Sequence, residues 1–259
     1  MKKILFLFLV FYSFSYANSK KWNNANNINY VMDEQYSFDD IHPKQEHYNS
    51  SRNRDNVNIT LLHSWGEYYE NVPQTFVEID DHLLAYNDNQ FLVIQDVTDP
   101  LNPITLSETQ MSGVPYWGSF RMRNNILYAC NSYDGLDIID VSDPTNPLIL
   151  SHVDTEGRAY DIAFKDDLAF LAARQAGILV LDISDASNPE ILNTYDPVQD
   201  FNIDAVAILD EFLVYGDRNG NVTILNIEDV YALEQVTSLT LDAGTTIWEL
   251  NVTGNIIDV

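Results

Sequence analysis

From Leu83 onward the chain alternates short apolar runs with polar turns on a steady beat. The runs Leu83–Tyr86, Ile126–Tyr128, Leu168–Leu171 and Phe212–Tyr215 each follow a polar pair: Asp80-Asp81, Asn124-Asn125, Asp166-Asp167 and Asp210-Glu211. A fifth pair falls at Gly254-Asn255, and successive pairs lie 44, 42, 44 and 44 positions apart. Around each pair the same order of elements recurs. A partly alternating stretch leads in (Phe120–Met122, Ile162–Phe164, Val206–Ile208), and the apolar run follows the pair. A turn bearing Gly or Asn comes next (Asn87-Asp88-Asn89, Asp134-Gly135, Gly177, Asn219-Gly220), then a third run (Phe91–Ile94, Leu136–Ile139, Ile178–Leu181, Val222–Leu225). Short runs rich in branched and aromatic residues and bounded by turn residues are strands, and the Gly and Pro positions break any helical period.

A second landmark keeps the same time. Asp96-Val97-Thr98-Asp99-Pro100-Leu101-Asn102-Pro103 returns as Asp140-Val141-Ser142-Asp143-Pro144-Thr145-Asn146-Pro147 and as Asp182-Ile183-Ser184-Asp185-Ala186-Ser187-Asn188-Pro189. Asn226-Ile227-Glu228-Asp229 is a worn copy, and the four first residues are 44, 42 and 44 apart. After the motif a fourth strand opens at Ile104–Leu106, Leu148–Leu150 and Ile191–Leu192. Two turn columns in register over several units indicate a repeat architecture.

Four antiparallel strands in a unit of about 43 residues is the arithmetic of a β-propeller blade. The runner-up is a stacked solenoid, whose units usually spend one short strand per turn. The fold expected is therefore all-β, with blades at roughly 74–110, 117–153, 158–195 and 202–241 and the opening strands of a fifth from about 247. Ile59–Leu62 resembles the start of a fourth strand, which makes residues 57–65 a candidate for closing the last blade. Because closed rings hold 4–8 blades, four blades and a fragment ending at Val259 predict an incomplete ring in this chain. The motif's second Asp can accept backbone N–H groups in an Asx turn, which its prolines stiffen and end. A calcium loop would need more converging oxygens, and the glycine and distal Glu of an EF-hand are missing.

Gly135-Leu136-Asp137-Ile138-Ile139-Asp140-Val141-Ser142-Asp143-Pro144 and Gly177–Asp185 resemble the LVIVD repeat of bacterial and archaeal surface proteins. The resemblance covers roughly residues 74–259 and departs at Gln95, Ala186, Glu228 and the lost proline of the fourth copy. It implies a propeller on an exported or cell-surface protein, and supplies no catalytic residues.

Composition adds the compartment. Met1-Lys2-Lys3, the apolar run Ile4–Tyr12 and small residues at Ser15 and Ala17 read as a signal peptide over 1–17. That run is shorter than the roughly 20 residues of a membrane span. Residues 18–56 are polar and aperiodic, as expected of a disordered leader, and 57–259 hold the repeats. The expected location is secreted, periplasmic or cell surface. A net charge of −26 argues against nucleic acid and anionic lipid as partners. Cys130 is the only cysteine, so no internal disulfide framework exists, and its apolar run makes it a small buried hydrophobe.

The five histidines show no zincin spacing, and no phosphate loop or nucleophile elbow occurs. Counting back from the polar turns places candidate ligand-binding residues at the mouth of the central channel: Trp117, Arg158, Tyr160, Asp161, Asp204 and Trp248, with Gln74 and Glu249 near them. Aromatics beside carboxylates could hold a sugar, a peptide or a cation; packing between blades is the plainer role. Two functions follow. One is a non-enzymatic binding or adhesion scaffold for a protein or carbohydrate, with no cofactor. The other is a calcium-dependent hydrolase, lactonase-like or phosphatase-like, using channel carboxylates. Three or more carboxylates converging in the channel would favour the second.

Overall fold

The computed structural model describes residues 49–50, 59–60, 75–99, 101–116, 118–197, 202–241, 245–253 and 256–259. The signal peptide and all of the leader but Asn49–Ser50 lie outside the described residues. Strand β1 (Asn49–Ser50) pairs antiparallel with β2 (Ile59–Thr60) as a two-stranded sheet. The described part of the candidate closing segment, Ile59–Thr60, thus pairs with Asn49–Ser50.

The repeats form four antiparallel four-stranded sheets. The first holds β3 (Phe76–Glu78), β4 (Leu83–Asp88), β5 (Phe91–Asp96) and β6 (Ile104–Gln110). The second holds β7 (Phe120–Arg123), β8 (Ile126–Cys130), β9 (Leu136–Asp140) and β10 (Leu148–Val153). The third runs through β11 (Asp161–Lys165), β12 (Leu168–Ala172), β13 (Ile178–Asp182) and β14 (Glu190–Tyr195). The fourth comprises β15 (Ile203–Leu209), β16 (Phe212–Asp217), β17 (Asn221–Asn226) and β18 (Glu234–Thr240). A hairpin of β19 (Asn251–Thr253) and β20 (Ile256–Asp258) follows. Strands pair in chain order within every sheet, as the blade reading predicts.

Local chemistry sets the turns. Asn124, Asn125, Asp166 and Asp210 take φ of 50°, 60°, 48° and 53°, left-handed values that Asn and Asp tolerate better than most side chains. Gly135 and Gly177 have φ of 77° and 80°, and a Cβ on either would lie 2.2 Å from the carbonyl oxygen of Val153 or Tyr195. In the repeated motif both acids work, not the second alone. The first accepts the N–H two residues on, from Thr98, Ser142 and Ser184, each at 2.8 Å. The second does the same for Leu101, Thr145 and Ser187 at 2.9–3.1 Å. The worn copy keeps both turns, with Asn226 and Asp229 accepting from Glu228 and Tyr231.

Each fourth strand carries an irregularity of register, at Leu106, Leu150, Leu192 and Val236. Beside the first three bulges a polar side chain reaches the next sheet. Ser107 Oγ donates to the Pro144 carbonyl at 2.7 Å, Ser151 Oγ to Ala186 at 2.6 Å, and Asn193 Nδ2 to Val230 at 2.9 Å.

Alternation along the central strands feeds two cores at once. Leu127, Ala129 and Ile139 face the first sheet beside Leu92 and Ile94, whereas Tyr128, Cys130 and Ile138 face the third beside Ile162 and Leu171. Phe170, Ala172 and Val180 then pack on Ile203, Val206 and Tyr215 of the fourth. Ala205, Val214 and Val222 pack on Ile247 and Leu250 ahead of the last hairpin. Full burial of one such Leu, Ile or Phe contributes about 1.5–3 kcal/mol. Neighbouring sheets also meet through their leading strands, β3 with β7, β7 with β11, β11 with β15 and β15 with β19. Those strands line the axial side, and β18, exposed at every residue, marks the outer edge.

Candidate functional site

Where the chain enters two of the leading strands, β3 and β11, a side-chain oxygen catches the neighbouring sheet. Thr75 Oγ1 accepts the Phe120 N–H at 3.0 Å, and Asp161 Oδ2 accepts the Val206 N–H at 3.2 Å. Asp161 Oδ1 also accepts from Ser119 Oγ at 2.8 Å and from Arg121 Nε at 3.0 Å, with Arg121 Nη2 at 2.9 Å. Asp161, expected at the channel mouth, ties the second, third and fourth sheets together. The Asp161 carboxylate holds the Arg121 guanidinium above its ordinary range. Cys130 lies beside this knot with no exposure, and burial pushes its thiol up to about 12, as befits a buried hydrophobe.

Tyr160, Asp204, Arg158 and Trp248 gather at the same end, around two residues the sequence reading passed over. Asp204 is the extra residue where β15 shifts register against β16, and its side chain is fully buried. Arg218 Nε donates to Asp204 Oδ2 at 2.5 Å, while Arg174 Nε stands 3.7 Å from Oδ1, too far for a hydrogen bond. Burial raises the Asp204 carboxyl above its usual range, against the opposing pull of Arg218, Arg174 and Arg158. Burial lowers the Arg174 guanidinium, and its neighbours Arg218 and Arg158 add to that.

Aromatic rings wall the cluster. Arg174 Nη1 donates to the Tyr160 hydroxyl at 2.9 Å and lies 5.1 Å from that ring's centroid. Arg218 sits 4.6 Å over Trp248, and Arg158 3.7 Å over Tyr133. Such contacts between guanidinium and ring are attractive. Trp117 and Gln74 lie outside the described residues. Glu249 lines, with Trp248, Ile247 and Leu241, an open cavity of about 290 Å³ beside the cluster.

Arg174 and Arg218 are 44 positions apart, each two residues past a second strand's buried Ala172 or Gly216. That column keeps the repeat's beat and is readable in the sequence, past the second strand and not in the loops that lead into first strands. Arg174 and the matching Ser132 have φ of 49° and 54° and bridge to Ile203 and Ala159 of the segments leading into the next sheet. Strained backbone at such positions tends to be kept where the side chain has a task.

Repeated four-stranded antiparallel blades, packed face to face around an axial end, define a protein of the β-propeller class. More particularly, the LVIVD repeat matches residues 124–155 and 156–197, so the second and third blades carry that repeat. That repeat suggests a surface-type protein. The crystal structure of the computationally designed Ika8 protein is similar in fold, with a TM-score of 0.55 and 14% identity. The likeness covers 70% of this chain and 52% of that one, so the chain spans about half of Ika8's length. No curated protein matches.

Proposed function

We propose that the protein is an exported binding platform, acting in the periplasm, at the cell surface or outside the cell. It holds a protein or carbohydrate ligand at the axial end of its blades. The observation that carries this reading is the gathering of Arg158, Arg174 and Arg218 with Tyr133, Tyr160 and Trp248 at one end of the sheets. Arginine and aromatic residues dominate the energetics of protein recognition sites. The cluster offers donors and rings but no nucleophile paired with a base, so it is built to hold a ligand and not to cleave one.

The calcium-dependent hydrolase draws on converging carboxylates. Among the described residues no group of three or more His, Cys, Asp or Glu side chains is placed to hold a metal ion. The one buried carboxylate of the cluster already faces three guanidinium groups.

The test is capture from arrays of extracellular glycans and proteins by the purified chain and by a double variant, Arg158→Gln with Trp248→Ala. Specific capture lost in the variant is the expected result. Capture indifferent to both substitutions, or robust hydrolase turnover that survives EDTA, would overturn the platform reading.

A further inference from the structure

The geometry points to an oxyanion receptor: Arg158, Arg174 and Arg218 bind the carboxylate or phosphate group of a ligand, with Asp204 as the resident counter-ion. This deepens the platform reading and rests on it for the ligand's source. The first ground is charge. The chain has 13 basic residues against 39 acidic ones, yet three arginines meet here around one buried carboxylate. Like charges held together in a partly buried place repel, and a fourth, anionic participant removes the conflict.

The second ground is hydrogen bonding. Arg174 is 8% exposed, and its Nε, though buried, has no acceptor. Arg158 Nε is buried and equally without a partner. Next to Arg158, Ser132 pairs with Ala159, and the buried Ser132 hydroxyl also lacks a partner. Buried polar groups in folded chains are almost always satisfied, so several exceptions in one place mark something missing. An oxyanion accepts from each unpaired donor.

The third ground is orientation. The guanidinium carbons of Arg158 and Arg218 lie over the rings of Tyr133 and Trp248, 3.7 and 4.6 Å from their centroids. The fork of N–H groups on a guanidinium matches the two oxygens of a carboxylate or two of a phosphate. Arg218 already spends its Nε on Asp204, and Arg174 its Nη1 on Tyr160. Among the described residues Arg158 makes no ion pair or hydrogen bond through its Nε, so it is the arm that closes on the ligand.

Isothermal titration with three probes decides the matter: galacturonate for a carboxylate, inorganic phosphate for a phosphate, and galactose as the neutral control. Binding of galacturonate, of phosphate or of both is expected, with galactose inert, and the pattern names the source. Arg158→Gln should weaken that binding about tenfold or more, the loss of a charge-assisted bond. Arg123→Gln, whose side chain lies over Phe164 and near Asp167, should leave it unchanged. The melting temperature of Arg158→Gln should hold or rise, because a repulsive charge is gone. Failure of both anions to bind, galactose binding as well as galacturonate, or undiminished anion binding in Arg158→Gln would each overturn the inference. Array capture that persists when the anions fail leaves the platform reading standing alone; anion binding without array capture does the reverse.

Discussion

Asp161 serves three residues of the two neighbouring sheets, so its loss should be felt across all three sheets. Asp161→Ala strands the Ser119 hydroxyl, the Val206 N–H and the Arg121 guanidinium, and a cost of about 2–3 kcal/mol is expected by urea denaturation. Arg121 is partly open to solvent, which keeps the figure below that of a fully buried pair. The motif carboxylates have a different signature. Hydrogen bonds to Asp96, Asp99, Asp143 and Asp182 from Thr98, Asn102, Thr145 and Ser184 lower each below the ordinary value of 3.8. A carboxyl depressed in the folded chain contributes stability above its unfolded pKa and loses it as pH falls through its folded one. Stability from these turns should therefore be flat near neutrality and decline below about pH 4. Carboxyl-detected NMR titration would show it, and midpoints at or above 3.8 would refute it. The places of Tyr160, Arg158, Asp204 and Trp248 at or just before the starts of strands were legible because counting from a turn locates them along the chain. What counting cannot give is direction: Asp161, one residue past Tyr160, points sideways into a sheet interface.

At the scale of strands, nearly the whole blade plan could be read, since each strand is bracketed by a turn whose chemistry is local. The bulges could not. A register shift at Leu106, Leu150, Leu192 or Val236 depends on what lies opposite, and no residue in those strands announces it. The bridges from Ser107, Ser151 and Asn193 to the next sheet were hidden for the same reason, although they too recur at 44 and 42. Close backbone approach is another feature of assembly and not of sequence. A Cβ at Gly157 would sit 1.9 Å from the Ala173 carbonyl oxygen and 2.9 Å from Ala176. Gly157→Ala should therefore force the segment before Arg158 away from its neighbour, lowering stability by about 1–3 kcal/mol. Calorimetry would measure it. An unchanged melting temperature would mean that the segment yields freely, and Arg158 would then be less firmly aimed than its place over Tyr133 implies.

Across the molecule, every apolar core joins one sheet to the next, so stability is shared by nearest neighbours and each sheet borrows half its burial from another. Cys130 reports on this. Its thiol, held at about 12 by burial, should resist iodoacetamide at pH 8 in the folded chain and react once denaturant opens the interface of the second and third sheets. Labelling at the rate of a free thiol without denaturant would contradict that burial. The arginine cluster has a kinetic consequence of its own. It is a small cationic spot on a chain whose formal charge is −26. An anion approaching from afar meets repulsion from the whole molecule, and meets attraction only within the last several ångströms. Salt shortens the reach of both fields, to roughly 8 Å at physiological ionic strength, but the distant repulsion suffers first. Association measured by stopped flow should then speed up as salt is raised from low concentration, the opposite of ordinary electrostatic steering, before contact attraction also fades. A ligand would be admitted fastest at intermediate salt, and fresh water would slow its arrival.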